Sequence, residues 1–105
     1  DLKKEFNISK IIPGKGYLIK TGKDLTIIST GHNLKVAVES LDLFKRNGVN
    51  AEVIYLPTIK PLDEKLIMKS IFKTKKFIVM EHQSKYGGLF SDISSLIMKK
   101  TQNYQ

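Results

Sequence analysis

The chain of 105 residues has room for one small domain, and 41% hydrophobic with 27% charged residues is a globular balance rather than that of a disordered chain. No run approaches the roughly 20 apolar residues of a membrane span, and Asp1-Leu2-Lys3-Lys4-Glu5 lacks the apolar core of a secretory signal, so the chain reads as soluble and cytoplasmic with no membrane partner. The absence of cysteine excludes disulfides, iron–sulfur ligation and thiolate zinc sites.

A net charge of +8 first suggests nucleic acid or anionic lipid. Its make-up argues otherwise. Arg46 is the only arginine among 18 basic residues, whereas bidentate recognition of phosphate and guanine edges favours the guanidinium fork. The lysines are scattered, with the densest group at Lys73, Lys75 and Lys76. They read as a solvated surface, with no nucleic-acid partner.

In chain order, residues 1–13 read as a linker from a preceding domain, closed by the turn signal Pro13-Gly14-Lys15-Gly16. Tyr17–Lys20 is a short strand, and Thr21–Asp24 turns into Leu25–Thr30, a β-branched and nearly continuous apolar run suited to a strand covered on both faces. Gly31 ends that strand. Asn33 is placed to cap a helix whose apolar positions Leu34, Ala37, Val38, Leu41 and Phe44 follow the three-and-four spacing, and Gly48 closes it in a left-handed conformation. Ala51–Leu56 is the third strand, and Asp63 caps a second helix with Leu62 and Ile67 at the staple positions. Phe77–Met80 is the fourth strand, Tyr86-Gly87-Gly88 a turn, and Leu89, Ile93, Leu96 and Ile97 mark the buried face of a third helix. Strand, strand, helix, strand, helix, strand, helix makes repeated βαβ units and a mainly parallel α/β sheet.

Function at such a sheet belongs at the carboxyl ends of its strands. The first such segment is Gly31-His32-Asn33, where a helix amino terminus attracts an anion. No dinucleotide fingerprint or Walker pattern supports a phosphate cradle there, so a simple turn competes with an anion site, and His32 reads as an exposed loop histidine without a metal partner. The second is Thr58-Ile59-Lys60-Pro61-Leu62-Asp63, in which Pro61 keeps Lys60 extended and Lys60 is free to meet an acidic partner. The third holds Glu81-His82, the sharpest titratable pair, and Gly87-Gly88. Ser84 and Ser91 have no triad signature around them, so Glu81 and His82 read as structural hydrogen-bonding groups rather than a catalytic dyad. The paired glycines permit positive φ and close approach of another segment, whether a partner chain or a ligand.

Four stretches carry a family resemblance: Gly16 to Gly31, Gly48 to Leu56, Thr58 to Asp63, and Glu81-His82 with Gly87-Gly88-Leu89. In this order and at this spacing they resemble the carboxy-terminal domain shared by transketolases, deoxyxylulose-phosphate synthases and the β subunits of 2-oxo-acid dehydrogenases. The resemblance covers residues 14–98 and implies a three-layer α/β/α sandwich whose mainly parallel sheet has its first strand antiparallel. It implies that residues 14–105 form this domain, truncated at its end, because family members continue into another strand and helix. In the family, thiamine diphosphate and magnesium lie between two other domains across a dimer interface.

The resemblance therefore implies no catalytic, cofactor-binding or metal-binding residue in this chain. It implies a supporting role at domain and dimer contact loops for Lys60, Pro61, Asp63, Glu81, His82, Gly87 and Gly88. The partners so implied are other domains or a subunit of the same enzyme, and a homodimer in the intact protein. The whole enzyme would transfer a ketol unit between sugar phosphates. Two rival readings are a regulatory module binding an anion or nucleotide, and a docking domain of a 2-oxo-acid dehydrogenase β subunit that meets an acidic surface through lysines. Phe90 departs from the family pattern, standing where another glycine is usual after Gly-Gly-Leu.

Overall fold

The computed structural model describes residues 11–31, 33–81 and 88–102. They form β1 (Tyr17–Lys20), β2 (Leu25–Thr30), α1 (Asn33–Arg46), β3 (Ala51–Leu56), α2 (Glu64–Thr74), β4 (Phe77–Met80) and α3 (Gly88–Gln102). The four strands have the bounds that the apolar runs predict. At α1 the boundary differs slightly, since Asn33 is the first helical residue instead of the cap before it.

The sheet order is β1-β3-β2-β4. Strands β2 and β3 pair in parallel along their whole length, from Leu25↔Ala51 to Thr30↔Leu56. Strand β4 adds in parallel to the other side of β2, from Thr26↔Phe77 to Ser29↔Met80. Strand β1 runs antiparallel to β3, with Tyr17↔Tyr55 and Leu18↔Ile54 followed by a register shift before Lys20↔Val53. The Thr21–Asp24 turn thus reverses the chain without pairing β1 to β2, because β3 takes the place between them. The fold is the expected α/β arrangement with its first strand antiparallel.

Strand periodicity of two divides the core between the sheet faces. On one face Ile28, Ile54 and Leu56 pack with Ile67, Met68 and Ile71 of α2 and with Leu89, Ile93 and Leu96 of α3. On the other, Ile27, Ala51, Val53 and Tyr55 pack with Leu34 and Ala37 of α1. Each fully buried aliphatic side chain here contributes about 1.5–3 kcal/mol of transfer free energy. Phe90, the residue that departs from the glycine pattern, stacks on Phe77 with ring centroids 5.4 Å apart. It remains half exposed to solvent.

Burial of β2 and β3 on both faces strands polar groups, and four helix and strand side chains solve this around Glu52. That residue is the second of an apolar strand and is 1% exposed. One carboxylate oxygen accepts from the Gly22 N–H at 3.1 Å and is ion-paired with Lys73, and the other accepts from the Ser70 hydroxyl at 2.5 Å. Thr26 Oγ1 lies 2.6 Å from Ser70 Oγ and 2.7 Å from Thr74 Oγ1. A hydroxyl has a single hydrogen, and that of Ser70 is committed to the carboxylate. Thr26 must therefore donate to Ser70, and Thr74 to Thr26. The Lys76 carbonyl beside Thr74 is satisfied in any case by the Thr26 N–H at 2.9 Å. The result is a directed chain of donors, Thr74 to Thr26 to Ser70, that ends on an ionised Glu52.

Gly22 is fixed by the same construction. A Cβ there would fall onto the backbone of Ala51 and Glu52, so only glycine brings its N–H to the carboxylate. Next to it, Asn50 and Asp24 clasp the turn: the Asn50 N–H donates to Asp24 Oδ2 at 2.7 Å, and the Lys23 N–H donates to Asn50 Oδ1 at 2.9 Å. At the far end of α2, Lys75 takes the left-handed cap conformation with φ 68°, its N–H donating to the Ile71 carbonyl. Glycine is the usual residue at this position.

Burial pushes the Glu52 carboxyl up, but hydrogen bonds from Lys73, Ser70 and Gly22, with the Lys73 charge, outweigh it and hold the group below its ordinary 4.5. The stability this gives is complete above the unfolded value and is lost as pH falls through the lowered folded value. Glu52→Gln should flatten the acid limb of stability against pH, read by urea unfolding at successive pH values. At neutral pH Glu52→Ala should cost about 2–3 kcal/mol, because it leaves buried donors without an acceptor. Lys75→Gly should instead raise stability by about 1 kcal/mol by removing the strain of a Cβ in the left-handed region.

Candidate contact loops at the carboxyl ends of the strands

Asp63 organises this end of the sheet. Its Oδ1 accepts from the Leu66 N–H at 3.2 Å, the N-cap bond of α2. Its Oδ2 accepts from the Gly16 N–H at 2.9 Å, across a separation of 47 residues. One carboxylate thus starts a helix and holds the chain at its entry into β1. Leu62 and Ile67 both pack into the core beneath it, as a hydrophobic staple does.

The entry segment lies directly against the loop after β3. The Lys15 N–H donates to the Ile12 carbonyl at 3.0 Å, closing the turn expected at Pro13–Gly16. The Gly14 N–H donates to Thr58 Oγ1 at 3.1 Å. A Cβ on Gly16 would stand 2.7 Å from Leu56 Cδ2 and 2.9 Å from Leu66 Cδ2. Gly14 has φ +81°, and a Cβ there would stand 3.1 Å from Pro61 Cγ. Sequence reasoning marked the two glycines as a turn and Thr58 as part of the loop, but did not pair them with one another across the fold. The turn signal was legible, but its partner 40 or so residues downstream was not.

With its base held in this way, the loop raises an exposed crest of Ile59, Lys60 and Pro61. The Lys60–Pro61 peptide bond is cis. Ile59 is 40% exposed, an apolar side chain placed in solvent at the tip of an anchored loop. At the end of β4, Glu81 Oε2 accepts from the Leu89 N–H at 3.3 Å, tying the strand end to the first turn of α3. Gly88 begins α3 with φ +34°. His82 and Gly87 lie outside the described residues, as does His32. Gly31, with φ +53°, and Asn33 stand at the start of α1, on the other side of β2 from α2.

Asp63 accepts from two backbone amides and Glu81 from one. Among the described residues no group of three or more His, Cys, Asp or Glu side chains could hold a metal ion. No described helix is long and apolar enough to cross a membrane.

Residues 14–105 match the family profile described as the transketolase C-terminal domain. The chain is 40% identical over 91 residues to a transketolase C-terminal section of Methanocaldococcus jannaschii, which covers 86% of this chain and 28% of that protein. It is 33% identical over 98 residues to the pyruvate dehydrogenase E1 component β subunit of Rickettsia bellii, covering 93% of this chain and 30% of that one. Among solved structures, a split-gene transketolase described as an inactive β4 tetramer superposes with a TM-score of 0.81 at 30% identity, over 86% of this chain and 30% of the other. The chain thus spans less than a third of the length of these relatives.

Asp63→Ala removes an N-cap and leaves the Gly16 N–H without its acceptor, and should lower stability by about 2–3 kcal/mol. Asp63→Asn keeps one acceptor oxygen and should lose less. Denaturant midpoints rank the two, and faster amide exchange at Gly16 in Asp63→Ala identifies the entry tie as the bond that opens.

Proposed function

Because the chain belongs to the transketolase C-terminal domain family, we propose that it is the non-catalytic packing domain of a thiamine-diphosphate-dependent enzyme that transfers a ketol unit between sugar phosphates. In this reading residues 14–105 hold the subunit and its dimer together. Lys60, Pro61 and Asp63 serve one contact loop, and Glu81, His82, Gly87 and Gly88 serve another. The observation that carries it is the anchored loop of residues 57–63: its carboxylate is spent on two backbone amides, while Ile59, Lys60 and Pro61 stand exposed at its tip. A loop so built presents a rigid surface to a partner and offers it no acid, base or nucleophile.

A second reading has a specific observation behind it, the 33% identity to a pyruvate dehydrogenase E1 β subunit over nearly the whole chain. The packing role would then belong to an enzyme that acts on a 2-oxo acid. The two differ in substrate. The chain, assembled with the cofactor-binding sections of the intact enzyme, should move a two-carbon unit between ketose and aldose phosphates when thiamine diphosphate and magnesium are added. Decarboxylation of pyruvate in place of this exchange would favour the second reading, and no thiamine-dependent turnover of either kind would refute the family function for this chain. Ile59→Glu combined with Lys60→Glu should weaken that assembly at least tenfold by analytical ultracentrifugation. It should shift the melting temperature of the chain alone by no more than a few degrees, since neither side chain is buried.

A further inference from the structure

At the opposite end of the sheet from the contact loops, a cleft of about 330 Å³ opens between the last turn of α1, the β1–β2 turn and the start of β3. Three lysines from three different elements face it: Lys20 at the end of β1, Lys23 in the turn, and Lys45 in the last turn of α1. Their mutual repulsion is offset only in part by the carboxylates that line the same cleft. The ion pairs among the described residues are Lys35–Glu39, Arg46–Asp42 and Lys73–Glu52, so none of the three lysines has a carboxylate partner.

Two carboxylates also line the cleft, so its lining carries three positive charges against two negative ones. Asp24 Oδ2 accepts from the Asn50 N–H at 2.7 Å, and Asp42 Oδ2 is paired with the Arg46 guanidinium at 3.2 Å. Asn50 adds donors of its own. Its Oδ1 is fixed by the Lys23 N–H, which leaves the two hydrogens of Nδ2 for a ligand. The remaining wall is apolar, formed by Leu41, Val49 and Ala51. Its volume lies at the lower end of the range for small-molecule sites.

We propose that this cleft binds a small phosphate monoester carrying a flat, partly apolar ring, of which a purine mononucleotide is the simplest example. The dianionic phosphate answers the three ammonium groups, and the ring answers the Leu41, Val49 and Ala51 wall. Concavity separates this ligand from a nucleic-acid strand, which tracks an extended basic groove lined with aromatic rings. The site stands apart from the contact loops, so the proposal does not rest on the packing role assigned to them.

Titration of the ¹⁵N-labelled chain with adenosine monophosphate, inorganic phosphate and adenosine, followed by amide shifts, tests it. The monophosphate should produce saturable shifts at Lys23, Gly48, Val49 and Asn50, with inorganic phosphate and adenosine each at least tenfold weaker. Lys23→Ala with Lys45→Ala should weaken monophosphate binding at least tenfold, while Lys65→Ala with Lys69→Ala on α2 leaves it unchanged; the amide spectrum of each variant reports that it is folded. Shifts spread equally over the lysines of α2 and α3, or inorganic phosphate binding as tightly as the monophosphate, would mean adventitious counter-ion binding and overturn the proposal. Tighter binding of a single-stranded oligonucleotide through these residues would overturn it in favour of a nucleic-acid surface, and the absence of any saturable shift would overturn it outright.

Discussion

Everything else in this structure depends on the double burial of the β2–β3 pair. A parallel pair packed by α1 on one face and by α2 and α3 on the other has no solvent to satisfy its polar atoms. Every polar side chain that enters it must bring its partners along. Glu52 is the extreme case, a carboxylate near the start of β3 that is tolerated because Gly22, Ser70 and Lys73 converge on it from three directions. The hydroxyls of Ser70, Thr26 and Thr74 are aligned by that charge. The amino-terminal half of the sheet is therefore pinned to α2 by directional bonds as well as by apolar contact.

The same constraint acts differently at the carboxyl ends. There the strands open into loops, and Asp63 replaces Glu52 as the organising carboxylate. It is half-buried and spends both oxygens on backbone amides, so the entry segment, the loop after β3 and the first turn of α2 become one unit. Gly14 and Gly16 let the entry segment lie against Pro61, Leu56 and Leu66 at distances where a Cβ would make those side chains shift. A unit of this kind is stiff at its base and exposed at its tip. Stiffness lowers the conformational cost of meeting a partner.

The elements themselves were legible in the amino-acid sequence. The β-branched runs at 25–30 and 51–56 gave their strands, and Asp63 announced a helix start. Gly48, which has φ +78°, announced a helix end. The chain reversal between β1 and β2 was legible as well, and the family resemblance supplied the antiparallel sense of β1. Lys75 was not legible as a left-handed cap, because lysine at that position carries no local signal and the tertiary structure overrides its preference. Glu52 was not legible as a buried ion either. A single acid in an apolar strand reads as a solvent-facing position until Ser70 and Lys73, some 20 residues away, are brought beside it.

What the sequence by itself determined is local: the periods of two and of three to four residues, the caps and turns, and the motif spacing that marks the family. These depend on neighbours within a few residues, and the chain carries them wherever it folds. The tertiary structure alone decided which distant groups meet. It put β3 between β1 and β2, joined Asp63 to Gly16, set the donor chain on Glu52, and gathered Lys20, Lys23 and Lys45 around one cleft. Hydrogen bonds and charges act over a few ångströms in space, without regard to separation along the chain.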